Sequence, residues 1–256
     1  MHVHSPSGIS GSLAFFDSGD RHRANATTTV YLGGLGSASS VAFASVVAHP
    51  ATQGRSITVD LFGSGWSDHP DDFTYSVEDH AASVASVLDS IGLELVSLVG
   101  HSLGGSIAIA LSTSRPDLTG HLMVCEGNLD PGMGALSAKI ASWDEGQFIA
   151  HGHAALIASL QTEDVEGQTN SADFARTVAR WSPAGRHRTA VSLIGNREPT
   201  FRAQLAAFHI PVFVTGSTSR LDTAELSTMG CDIRVVADAG HIMMNDNLDG
   251  FCAAIA

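Results

Sequence analysis

The chain is predicted to adopt an α/β fold: a doubly wound, mostly parallel sheet with helices on both faces and an inserted helical segment. Three observations predict it. Short apolar, β-branched runs alternate with longer helical stretches rich in small residues, the pattern of parallel strands joined by covering helices. One run passes straight into a glycine-flanked serine and then a helix, in "LVSLVGHSLGGSIAIALS" (95–112). The alternation then lapses between Gly127 and Phe208 and resumes at Pro211.

The strand candidates are "TTTVYL" (27–32), "SITVD" (56–60), "LVSLVG" (95–100), "GHLMVCE" (120–126), "PVFVTG" (211–216) and "DIRVVA" (232–237). The clearest helix is "SVEDHAASVASVLDSIG" from Ser76. It opens on a capping serine, carries acids in its first turn, repeats Val77, Ala81, Val84, Val87, Leu88 and Ile91 at helical spacing, and closes on Gly92. The expected organisation is a core of residues 1–126 and 209–256, with residues 127–208 as a helical cap or lid. An insertion there lies above the C-terminal edge of the strands, where open α/β sheets bind ligands.

At 256 residues the chain fits one large domain, or a core with an inserted subdomain. A formal charge of −13 without any Lys/Arg cluster excludes nucleic acid and anionic lipid as expected partners, because both demand a basic surface. No stretch reaches the ~18 apolar residues of a spanning helix, and "MHVHSPSGIS" has neither part of a signal peptide. A soluble, cytoplasmic protein is expected. The scattered Cys125, Cys231 and Cys252 fit reduced packing residues rather than a disulfide frame or zinc site.

The glycine-flanked serine carries the chemistry. A serine can be presented at a strand-to-helix turn only if its backbone is strained and its neighbours two residues away are nearly without side chain, which Gly100 and Gly104 satisfy. Such a turn aims the Ser102 hydroxyl out of the sheet and leaves the Leu103 amide at a helix N-terminus, where an oxyanion would form. G-H-S-L-G resembles the G-x-S-x-G nucleophile elbow of the α/β-hydrolase superfamily. That resemblance implies an α/β-hydrolase fold and a serine nucleophile. "VYLGGLGSAS" (30–39) follows a strand where the family usually has H-G-x-x; here Gly33 replaces the histidine, and the resemblance makes the Leu35 amide the second oxyanion donor. "VDLFGSGWSD" (59–68) is similar to the family's D-x-x-G-x-G-x-S segment, so Asp60, Ser67 and Asp68 are expected to shape a turn.

His241, after the last strand in "VVADAGHIMMNDNLDGF", occupies the family's general-base position. The imidazole needs a carboxylate to hold its tautomer and stabilise its protonated form. The family pattern G-x-x-D after "PVFVTG" puts that acid at residue 219, which is serine. Glu126, on the C-terminal tip of the preceding strand, is the leading candidate, since an acid ending a buried strand is costly unless paired; some family members, including a group of haloalkane dehalogenases, put their acid there. Asp222, which also suits a cap for the helix that follows, and Asp130, in the turn "NLDPG", remain alternatives.

His2/His4 and His151/His153 are spaced as His-x-His and "GRHR" (185–188) adds another histidine, but no converging third ligand is evident, so neither metal nor cofactor is expected. His101 is expected to pack beneath the elbow, and "SGDRHR" (18–23) reads as a polar turn. The resemblance implies an acyl hydrolase of small esters or lactones, with a small-molecule substrate as its partner. Gly34, Trp143, Phe148 and Leu156 are the candidate pocket lining. Similar triads in the superfamily also perform C–C bond hydrolysis, perhydrolysis and thioesterase reactions, and some members act as small-molecule receptors.

Overall fold

A computed structural model describes residues 1–19, 27–162, 171–219 and 221–256. The turn expected at 18–23 therefore lies largely outside the described residues. These residues form an eight-stranded sheet in the order β1-β2-β4-β3-β5-β6-β7-β8. Each strand candidate becomes a strand: β3 (Thr29–Leu32), β4 (Ser56–Val59), β5 (Val96–His101), β6 (Thr119–Cys125), β7 (Val212–Gly216) and β8 (Asp232–Val236). These pair in parallel. Two further strands, β1 (His2–His4) and β2 (Leu13–Asp17), form an antiparallel edge against β4.

Alternate side chains of each central strand enter different clusters. Val30, Leu32, Leu98, Leu122, Val124 and Phe213 join one, whereas Tyr31, Val99, Cys125, Val212 and Val214 join the other. Both sheet faces are thus covered, which explains why the strands read as continuous apolar runs. Helix α1 (Val77–Ser90) starts where the sequence places it: the Ser76 hydroxyl accepts from the Asp79 amide at 3.0 Å, with Glu78 and Asp79 in the first turn. Its buried Val77, Ala81, Val84, Val87 and Leu88 belong to the first cluster.

Helix α2 (Leu103–Ser114) follows β5 at unusually close range. A Cβ added at Gly104 would fall 2.1 Å from the Leu32 carbonyl oxygen, and one at Gly100 would fall 2.2 Å from that of Gly104. Backbone meets backbone on both sides of Ser102, so the glycines flanking the serine are a packing requirement of the turn.

Between β6 and β7 lie helices α3 (Ala135–Ala141), α4 (His153–Thr162), α5 (Ser171–Ala179), α6 (Pro183–Ile194) and α7 (Phe201–Ala207). They dock onto the loops after β3 and β4. The Trp181 indole donates to Ser37 O at 3.2 Å, Arg180 donates to Gly65 O, and the Ser182 amide donates to Gly63 O at 2.8 Å. Cys125, Cys231 and Cys252 are free and buried. Among the described residues, no helix is long and apolar enough to cross a membrane.

Because the atom that an added methyl at residue 104 meets is backbone, no side-chain rearrangement can relieve it. Gly104→Ala is expected to cost ~3 kcal/mol or more, read as a lower urea midpoint or loss of folded protein. An unchanged midpoint would show that the turn has slack.

Candidate active site

The site is assembled at the C-terminal ends of four neighbouring strands, β5 to β8, beside the loop that follows β3. Ser102, between β5 and α2, has φ 54° and ψ −119°, a conformation costly for a residue with a side chain and held here by its surroundings. Its amide donates to Cys125 O at the end of β6 (2.9 Å), and its carbonyl accepts from the Gly105 amide (2.9 Å). As the first residue of α2, Leu103 has an amide with no partner within the helix, at the positive end of the helix dipole. Gly34 lies against this turn: a Cβ there would be 3.2 Å from Ser102 Cβ and 3.2 Å from His101 Nδ1. Leu35, next along the loop, is buried.

Glu126 follows the last residue of β6 and also has a positive φ, 49°. This turns its carboxylate across the tip of β7. Oε1 accepts from the Thr215 hydroxyl (2.8 Å) and the Gly216 amide (3.1 Å), and Oε2 accepts from His241 Nδ1 (2.8 Å). Burial pushes the Glu126 carboxyl up, but the hydrogen bonds from His241, Thr215 and Gly216 outweigh it and hold the pKa at about 2. The group is therefore a carboxylate, and the imidazole facing it carries its proton on Nδ1, leaving Nε2 with a free lone pair.

The loop bearing His241 reaches this position by crossing Gly216, where an added Cβ would fall 2.3 Å from Ala239 O. A second histidine fixes its backbone. Burial, with the neighbouring His241 adding to it, pushes the His101 imidazole down to about 3, so the ring is neutral. Its Nε2–H donates to the His241 carbonyl at 2.8 Å, and the two rings lie 4.7 Å apart.

The competing acids are engaged elsewhere. Asp222 Oδ1 accepts from the Ala224 amide at 3.0 Å, a local turn before the helix Ala224–Thr228. Asp130 is bound by the guanidinium of Arg202. Asp60, fully buried, accepts from the Ser40 amide and hydroxyl and from the Trp66 amide, and so braces the turn after β4. His4 pairs with Ser86, and His2 stacks on Phe15. Of the candidate pocket residues, Gly34 touches the elbow. Phe148 is buried against His153 and His187, Trp143 is exposed with its carbonyl bound by His187, and Leu156 is buried.

The model of the alpha/beta hydrolase fold matches residues 30–181, more than half of the chain. The chain belongs to the α/β-hydrolase family. Among solved structures, this α/β hydrolase is similar in fold to the enol-lactonase from Burkholderia xenovorans LB400 (TM-score 0.78, 20% identity, 96% of each chain). In sequence it is similar to the sn-1-specific diacylglycerol lipase ABHD11 of Mus musculus, with 30% identity over 128 residues that cover 48% of this chain and 41% of that protein. It is also similar to the 2-hydroxymuconate semialdehyde hydrolase of Pseudomonas sp. strain CF600, with 36% identity over 70 residues, 27% of this chain and 25% of that one. The matched stretch spans less than half the length of these relatives.

Three features of this α/β hydrolase escape a reading of its sequence: the grip of Thr215 and Gly216 on Glu126, the anchoring of His241 by His101, and the buried guanidinium of Arg186 described below. A threonine just before the closing glycine of β7 is the one local signal of the first. The others depend on tertiary proximity.

Exchanging the acid tests the geometry. Glu126→Gln is expected to lower kcat by about 10⁴-fold, as for the loss of a triad carboxylate, while Asp222→Asn changes it only a few-fold; the reverse ranking would reassign the acid. Stability supplies a second check. The folded-state pKa of Glu126 lies below its ordinary 4.5, so its ionised form stabilises the fold fully above that value and this contribution is lost as pH falls toward about 2. In urea titrations the stability gap between wild type and Glu126→Gln should narrow between pH 7 and pH 3.

Proposed function

We infer that the protein is a serine hydrolase of small carboxylic esters or lactones that works through an acyl-enzyme. The observation that carries this reading is the 2.8 Å contact between His241 Nδ1 and Glu126 Oε2; the strained Ser102, at the head of a helix, follows His101, whose ring lies 4.7 Å from that of His241. In the reaction, Nε2 of His241 takes the Ser102 proton as Oγ bonds to the substrate carbonyl carbon. Negative charge moves onto the carbonyl oxygen, which the amides of Leu103 and Leu35 receive. Collapse breaks the bond to the alkoxy leaving group, which departs with the proton from His241. Water then repeats the sequence on the acyl-enzyme, giving its proton to His241 and releasing the acid and free Ser102.

Throughout, Glu126 stays ionised and steadies the imidazolium. Each oxyanion donor of this kind contributes about 10²–10³-fold in kcat. Residues 127–208 would act as a cap, with its helices closing the site from above and Gly34, Trp143, Phe148 and Leu156 bordering the acyl group. The likeness to a 2-hydroxymuconate semialdehyde hydrolase favours a second reading, C–C bond hydrolysis at the same serine.

A fluorophosphonate probe with a panel of 4-nitrophenyl esters of increasing acyl length tests the reading. Wild type is expected to be labelled and to turn over the short esters, and Ser102→Ala to lose both. Absence of labelling and turnover in the wild type would favour a binding protein on this fold.

A further inference from the structure

Arg186, near the start of α6, is fully buried, and its Nε, Nη1 and Nη2 have no hydrogen-bond partner among the described residues. Other arginines of the insertion are engaged: Arg188 by Glu145, Arg197 by Glu78, Arg202 by Asp130, and Arg180 by a backbone carbonyl. Burial alone pushes the Arg186 guanidinium down to about 10, so it remains a cation at neutral pH, and among the described residues no acidic side chain pairs with it. A buried, unpaired cation is costly, and its donors demand an anion. His153, itself buried, offers none. Burial and then the Arg186 charge hold its imidazole neutral.

The guanidinium lies against the loop that carries the candidate oxyanion donor. A Cβ added at Gly36 would be 2.9 Å from Arg186 Nη2, 3.0 Å from Val178 Cγ2 and 3.1 Å from Phe174 Cζ. Gly36 adopts φ +105°, so glycine is favoured there on both counts. Gly34, which touches Ser102, is two residues away, a span of at most ~7 Å of chain. The guanidinium is thus packed on a loop position two residues from the one that touches Ser102, and Val178 and Phe174, which meet the same point of Gly36, are apolar.

We propose that Arg186 holds a carboxylate borne by the substrate, so that the ester or lactone cleaved at Ser102 carries a free acid group on its acyl part. The planar guanidinium fork matches a carboxylate through two parallel hydrogen bonds. The proposal rests on the hydrolase reading above, and the test separates the two.

The first arm compares 4-nitrophenyl butyrate with the 4-nitrophenyl half-ester of glutaric acid in wild type, Arg186→Met and Arg186→Lys. Arg186→Met is expected to lower the charged-to-neutral ratio of kcat/KM by about 10²-fold, with Arg186→Lys restoring part of it. An unchanged ratio overturns the proposal. The second arm needs no variant: glutarate and adipate should compete with the neutral ester in wild type, and inorganic phosphate should not. Competition by phosphate with none from the dicarboxylates overturns the carboxylate assignment. The third arm reads binding without turnover. Glutarate should raise the Tm of wild type, and no shift overturns the proposal even if the protein proves not to be a hydrolase. Loss of neutral-ester turnover and of probe labelling in wild type, with the glutarate shift intact, would instead overturn the hydrolase reading alone.

Discussion

The arrangement depends on one carboxylate lodged across two strand ends. Glu126 leaves β6 in a left-handed conformation and is received by Thr215 and Gly216 of β7 before it touches His241. Its charge is compensated by three donors, which is why so buried a carboxyl stays ionised. Other distances at the site inherit this placement. The Ser102 amide is tied to Cys125 O, one residue before Glu126, so the elbow and the acid are positioned by the same strand tip. The imidazole is then fixed from two sides, by the acid on its ring and by His101 on its backbone.

Much of this is legible in the sequence because the physical demands are local. The elbow announces itself through Gly100 and Gly104, whose absent side chains are needed by backbone contacts near 2 Å to a hypothetical methyl. α1 is legible through its Ser76 cap and apolar spacing. Glu126 stands out because an acid at the end of a buried strand must have a reason to be there. The missing aspartate at residue 219 directs attention to β6, and the engaged states of Asp222 and Asp130 agree with that direction.

The rest was hidden for equally physical reasons. β1 is a three-residue edge strand beside β2, and "HVH" carries no apolar alternation that would separate it from a loop. His101 is indistinguishable by composition from the other histidines; only its nearness to the His241 carbonyl, 140 residues away in sequence, gives it a task. Arg186 lies in "GRHR" with no local pattern to mark it as buried, and its burial accompanies the docking of Trp181 and Ser182 onto the loops beneath. Residues whose roles arise from long-range docking leave little local trace.

The contact between His241 and Glu126 can be observed directly by proton NMR in the resting protein. The account predicts a slowly exchanging proton, far downfield of the amide envelope, that belongs to His241 Nδ1, disappears in Glu126→Gln and persists in Asp222→Asn. A resonance that survives Glu126→Gln, or that vanishes in Asp222→Asn, would contradict it.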